Sequence, residues 1–326
     1  MSHKEKIQAY LSQANVQLSV DEFVSVTSNI YHGYEAENYD ERHFSIEYST
    51  KYWSKVTDYM DGYFAEKRGL AVLDFGCGTG FATDQIIHSE LNSKIGMLSC
   101  YDLSEAMIAV CKSKFIGDNR ITYFADAEGR NALLSTGQKY DIIVCNALLH
   151  HILEPDQIFR MISELLQPGG VFIMGHEPNK NFYGNGILQS ASKVFRLYKR
   201  IYKKLFVGKP AKLSKDIAAM TRNELVRLGI VSADFPSKII PKFVDIHVPM
   251  SNYPQQPWGE IGFDVNYVNS FLNHDFELVS QITYSHIKDQ EAYRSVIWRN
   301  IANFLAMCYP KAGADAIFIF KKTRKS

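Results

Sequence analysis

The chain predicts an α/β protein built on a parallel, doubly wound sheet. Apolar runs of strand length alternate with helix-like segments, at Leu70–Phe75, Ile95–Tyr101, Ile121–Ala125, Tyr140–Cys145 and Gly170–Gly175. The runs are continuously apolar rather than alternating, as strands buried on both faces require. The first run ends in a cluster of glycines, Gly76, Gly78 and Gly80, in LAVLDFGCGTG. Glycines there permit positive φ and let main chain approach a ligand at the strand's carboxyl end. Right-handed crossovers then bring the loops after these strands to one edge of the sheet.

The spacing of that loop selects among nucleotide ligands. A dinucleotide fingerprint, G-x-G-x-x-G, needs glycine at 81, where the chain has Phe81. The pattern is instead an acid, Asp74, followed by G-x-G-x-G. A carboxylate at the strand end suits a ligand with a cationic amino group better than a pyrophosphate, which its charge repels. Asp102 ends the second strand, 22 residues beyond Gly80, where a carboxylate can accept two ribose hydroxyls. Ser104 before Glu105 keeps helix capping open as an alternative role for that turn.

VLDFGCGTG, YDLSEAM, LLHHI and LLQPGG together resemble the class I S-adenosylmethionine-dependent methyltransferases. The resemblance is good over 70–178 and looser over 261–323. It implies a Rossmann-like seven-stranded sheet whose sixth (Phe276–Thr283) and seventh (Ala314–Lys321) strands are antiparallel. It implies S-adenosylmethionine as cofactor, held by Asp74, Gly76, Cys77, Gly78, Gly80 and Asp102. Leu103 and Met107 would flank the adenine, Asp126 and Ala127 would meet its amino group, and Asn146 would close the same site. For Asp126 an N-cap role is compatible with this.

Methyl transfer from a sulfonium is an in-line displacement, so the protein must chiefly position the acceptor and exclude water. His150 and His151 follow the fourth strand and are the first candidates for base or substrate orientation, His151 also for pinning a helix. His176 and Glu177, after strand five, form a second pair; Tyr39, with Asp40, is a substrate-side candidate from the N-terminal part. His247 and His286 are further residues able to close the pocket. Similar quinone-pathway enzymes carry an E-x-x-E-H metal cluster after strand four. This chain has Ala147, His150 and His151 there, so no metal is expected.

Net charge is +1, so no global field recruits nucleic acid, and none is expected as partner. The five cysteines include no C-x-x-C pair, and no apolar run of about 18 residues is present. Reduced thiols and a cytoplasmic location are the expectation. Residues 1–65 read as two or three helices forming a lid, 66–178 and 261–326 as the core, and 179–260 as a helical insertion capping the substrate. Within it, 186–206 is an amphipathic helix, and Lys193 to Lys215 hold nine basic residues and no acid. Such a helix suits an anionic membrane, a cap over an acidic or lipophilic substrate, or a homodimer, or it docks on the sheet with its charges in water. The function expected is methylation of O, N or C of a small or lipophilic molecule. The rivals are a non-methylating reaction in the same pocket, such as a cyclisation, and a binding protein of this fold.

Overall fold

The computed structural model describes residues 2–42, 45–204, 216–248, 262–272 and 275–323. Its strands are β1 (Leu70–Phe75), β2 (Ile95–Asp102), β3 (Ile121–Ala125), β4 (Tyr140–Asn146), β5 (Leu166–Pro178), β6 (Phe276–Tyr284) and β7 (Asp315–Lys322). They make one sheet in the order β3-β2-β1-β4-β5-β7-β6. Pairing is parallel from β3 through β5, and β7 runs against both β5 and β6. This corrects the expectation of two antiparallel strands, because β6 runs with the first five. The chain leaves β6 and re-enters the sheet from the same edge, so only β7 must run back. The order reverses beside β1 and β4, which opens a crevice at their carboxyl ends.

Alternation along each strand divides the core. Val72, Ile142, Val144 and Ile173 pack on one face, while Leu73, Ile143, Phe172 and Phe318 pack on the other. Ahead of the sheet lie α1 (His3–Gln13), α2 (Val20–Glu35), α3 (Tyr39–Arg42) and α4 (Ser45–Tyr63). Ser2 with Glu5 and Ser19 with Glu22 close capping boxes that start α1 and α2. The crossover helices are α5 (Phe81–Ile87), α6 (Glu105–Lys114), α7 (Asp126–Ser135) and α8 (Pro155–Leu165). Helix α5 is only seven residues long, and a 3-10 turn over Glu90–Lys94 completes the crossover. Strand β5 starts before LLQPGG ends: Gly169, at φ +80°, sits in a bulged register between Leu166 and Val171.

The insertion contributes α9 (Lys180–Tyr183), α10 (Gly186–Tyr202), α11 (Ile217–Arg227) and α12 (Ile240–Val244); α13 (Val265–Leu272) and α14 (Val296–Cys308) follow. Leu205, Phe206, Lys209, Lys212 and Lys215 of the basic stretch lie outside the described residues. Packing redraws the expected domains. Trp53, Val56 and Met60 place α4 on the sheet, so it is part of the core and not of a lid. Helices α1 and α2 instead share an apolar cluster with α11 and α12, through Leu11, Phe23, Leu225 and Phe243. One helical cap is thus built from both ends of the expected division, while α10 packs with α14 in a separate cluster.

Candidate active site

A cavity of about 570 Å³ opens at the carboxyl ends of β1, β2, β4 and β5, under the helical cap. At its floor the glycine loop takes φ of +77° at Gly76, +52° at Gly78 and +88° at Gly80. A Cβ at Gly76 would stand 2.6 Å from Leu148 and one at Gly80 2.8 Å from Cys111 Sγ, whereas at Gly78 it would meet nothing within 4 Å. Two glycines therefore let helices and loops close in, and Gly78 presents bare backbone to the cavity it lines with Gly76 and Cys77. The Tyr101 carbonyl accepts the N–H groups of Gly76 and Cys77 at 2.7 and 2.9 Å.

Asp102 stands beside this loop. Its carboxylate accepts the Gly78 N–H at 2.8 Å and the Ser104 N–H at 2.9 Å, and burial raises its carboxyl above the ordinary range. Ser104, not Asp102, caps α6 by accepting from the Met107 N–H at 3.4 Å. Asp102, Leu103 and Met107 line the cavity together, with Arg130 and Ala127 beyond them.

Several expected ligands sit behind the wall. Asp74 is fully buried and does not line the cavity. It shares the Val72 face of β1, where its Oδ2 accepts the Thr83 N–H at 3.1 Å and hydroxyl at 2.7 Å. It therefore ties the glycine loop to α5 rather than facing a cationic group. Burial raises its carboxyl to about 7, and its Oδ1 has no hydrogen-bond partner among the described residues. Asp126, at φ +59°, turns back to accept the Gly129 N–H at 2.9 Å within the first turn of α7; Ala127 lines the cavity and Asp126 does not. Gly80 likewise lies under the loop, off the lining.

The far wall is organised by Glu177, which is 0% exposed. Its carboxylate accepts the N–H groups of Leu148, Leu149 and His150 at 2.9, 2.7 and 3.1 Å, and its Oε2 lies 2.8 Å from His150 Nδ1. Glu177 does not line the cavity, which corrects its substrate-binding assignment: it positions the loop after β4. Burial raises Glu177 to about 8, against the pull of the three N–H donors, and lowers His150 to about 3. Burial favours the uncharged form of the His150 imidazole, whose Nδ1 is engaged by Glu177 while Nε2 is left on its other edge. Ala147, at φ +53°, and Asn146, whose Oδ1 would stand 2.6 Å from a Gly175 Cβ, complete this end of the lining.

His151 pins the insertion rather than the helix after it: Nδ1 meets the Val244 carbonyl at 2.9 Å and Asp245 at 3.3 Å. His247 docks the same segment through the Ile152 carbonyl, at 2.9 Å, and His286 holds the Tyr309 carbonyl at 3.0 Å; neither lines this cavity. His176, at φ +52°, lines it with Nδ1 2.6 Å from the Tyr284 hydroxyl. Tyr39 lines it from the cap, its phenol pushed up by burial. Asp40 straps α3 to the glycine loop by accepting from Thr79 Oγ1 at 2.6 Å. Sequence reasoning did not single out His32, Glu35, Tyr183, Asp245, Lys288 and Asp315, all of them lining residues. His32 and Glu35 lie in YHGYEAENYDERHF, whose density of tyrosines and acids was the one signal for them.

Among the described residues two groups bring together atoms able to ligate a metal, each within 4.8 Å: Cys77 with Cys100 and Cys111, and His150 with His151 and Asp245. The insertion thus places a carboxylate near the two histidines where the strand-four motif has none. The five cysteines are free.

Burial lowers His151 to about 3 and His247 to about 4. In the unfolded chain an imidazole titrates near 6.5, so on acidification the unfolded state binds protons first. The stability these residues contribute is whole above about pH 6.5 and is lost as pH falls towards 3; Glu177, raised to about 8, acts in the opposite sense. His151→Gln is expected to flatten the fall of melting temperature between about pH 6.5 and 4, measured by calorimetry. An unaltered acid slope would remove His151 from this account.

Residues 73–172 match the family model described as a methyltransferase domain. The strand order around them is that of a Rossmann-like methyltransferase fold. Malonyl-(acyl-carrier protein) O-methyltransferase 1 of Ilyobacter polytropus is 32% identical over 117 residues, 36% of this chain and 41% of that protein. Ubiquinone biosynthesis O-methyltransferase of Coxiella burnetii is 30% identical over 116 residues, 35% and 46% of the two. The chain thus spans under half the length of these curated relatives. A solved plantazolicin methyltransferase, BpumL, with a monoazolic desmethyl analogue and SAH, aligns over 94% of this chain and 98% of its own at 13% identity and TM-score 0.46.

Proposed function

We propose that this protein transfers a methyl group from S-adenosylmethionine to O, N or C of a small, lipophilic acceptor. The observation that carries the proposal is the division of one cavity. The bare backbone of Gly78 and the Asp102 carboxylate line it at the ends of β1 and β2, and His150 lines it beyond the end of β4. The residues present fit the cofactor: Gly78 leaves space a side chain would fill, Asp102 offers a carboxylate for ribose, and Leu103 and Met107 offer apolar flanks for a base. When bound, the cofactor supplies an electrophilic methyl group. The chain's part is then to orient the acceptor, exclude water and take a proton where the acceptor carries one.

His150 orients the acceptor through Nε2, because its Nδ1 is held by Glu177 at 2.8 Å. His176 and Tyr39 stand where an acceptor would be held, and the α1, α2, α11 and α12 cap closes over them as a lid. Val24, Tyr31, Ile152, Leu153, Val244 and Val248 line the cap side, which favours a lipophilic acceptor. Magnesium or calcium is not part of this reading, since two of the three atoms offered by His150, His151 and Asp245 are imidazole nitrogens.

Calorimetry is expected to show binding of S-adenosylmethionine and none of NAD. With acceptor mixtures and labelled cofactor, the product is expected to gain one methyl mass at a rate unaffected by chelator. NAD binding without cofactor heat would overturn the cofactor assignment. A product formed at unchanged mass would make the reaction a cyclisation, and cofactor binding without turnover of any acceptor would favour a binding protein.

A further inference from the structure

Helices α10 and α14 pack together through Trp298, whose ring lies 5.0 Å from Phe195 and 5.6 Å from Tyr198. Of fifteen large apolar side chains exposed among the described residues, six lie on α10 and five on α14. Helix α10 turns Leu188, Ser192 and Phe195 inward. Ile187, Val194 and Ile201, seven residues apart, form an outer strip and are 56, 57 and 52% exposed. Helix α14 adds Ile297, Phe304 and Met307 at 71, 63 and 81%. So much apolar surface on two neighbouring helices marks an interaction face rather than scattered exposure.

The charges beside it specify the partner. Lys199 and Lys203, expected to be solvated cations, are neutralised internally: Lys199 meets Asp289 at 2.9 Å and Glu291 at 3.0 Å, and Lys203 meets Glu291 at 3.1 Å. Lys193, Arg200 and Lys204 fall instead with Leu197 on one helical row, at steps of four, three and four, which borders the apolar strip. Apolar side chains edged by cations match hydrocarbon beneath anionic headgroups. A second copy meeting this face across a twofold axis would set one cationic row near another. No helix among the described residues is long and apolar enough to cross a membrane, and α10 has the pattern of helices that lie along one.

We propose that the α10–α14 face docks the protein on the surface of an anionic bilayer. This goes beyond the methyl-transfer reading and is independent of it, since its test reads binding and not turnover. The full chain is expected to sediment with phosphatidylcholine vesicles containing phosphatidylglycerol, weakly with phosphatidylcholine alone, and less as salt is raised. Two exposed-site variants, Lys193→Gln with Arg200→Gln, and Ile201→Ser with Phe304→Ser, should each lower the anionic-vesicle affinity about tenfold or more. Their melting temperature should stay unchanged. No sedimentation with anionic vesicles at low salt overturns the proposal, as does native affinity in both variants. Dimers in ultracentrifugation that Ile201→Ser with Phe304→Ser disrupts, in a protein that ignores vesicles, would assign the face to a second copy.

Discussion

Glu177→Ala is expected to destabilise the protein by about 3 kcal/mol or more and to abolish turnover, because one buried carboxylate holds three N–H groups of the loop after β4. Each buried donor left unsatisfied costs about 1 to 3 kcal/mol, a large part of the stability of a typical domain. His150 also loses the partner that fixes its ring. Glu177→Gln keeps one accepting oxygen and is expected to lose less stability. It still turns an amide donor towards donors already there, so turnover falls with it. Urea unfolding of both variants checks the order. An alanine variant with the native midpoint would show that the carboxylate is not what holds the loop.

Asp102→Ala is expected to weaken cofactor binding about a hundredfold or more. Two charge-assisted acceptors for ribose are lost, at about 1.5 to 3 kcal/mol each. The same carboxylate fixes the Gly78 and Ser104 N–H groups, so the loop that meets the cofactor loosens too. Asp102→Asn retains one oxygen and should fall between the two. Titration of each variant with S-adenosylmethionine measures this. An alanine variant binding within about threefold of the native protein would move the ribose contact elsewhere, since threefold is well under 1 kcal/mol.

Burial explains which of the expected site residues reach the cavity and which do not. Gly76, Gly78, Cys77, Asp102, Leu103 and Met107 are local: a strand, a tight turn and the next strand's end decide where they go. Asp74 and Asp126 were legible as acids at strand ends, yet the nearest N–H groups, from Thr83 and Gly129, claim them. Glu177 was legible as a polar residue at an apolar strand's end. That it serves the backbone of 148–150 depends on the pairing of β4 with β5, which spacing alone does not reveal.

By itself the sequence determined the strands, their parallel order through β5, the glycine loop and hence the class of cofactor, because these follow from apolar periodicity and backbone freedom within about 30 residues. Only the tertiary structure decided the direction of β6, the placing of α4 on the sheet, and the joining of α1 and α2 with α11 and α12 in one cap. It also decided that His32, Asp245 and Lys288 meet His150 and His151 around one cavity. Those residues are brought together by apolar burial between distant segments, which does not depend on their spacing along the chain.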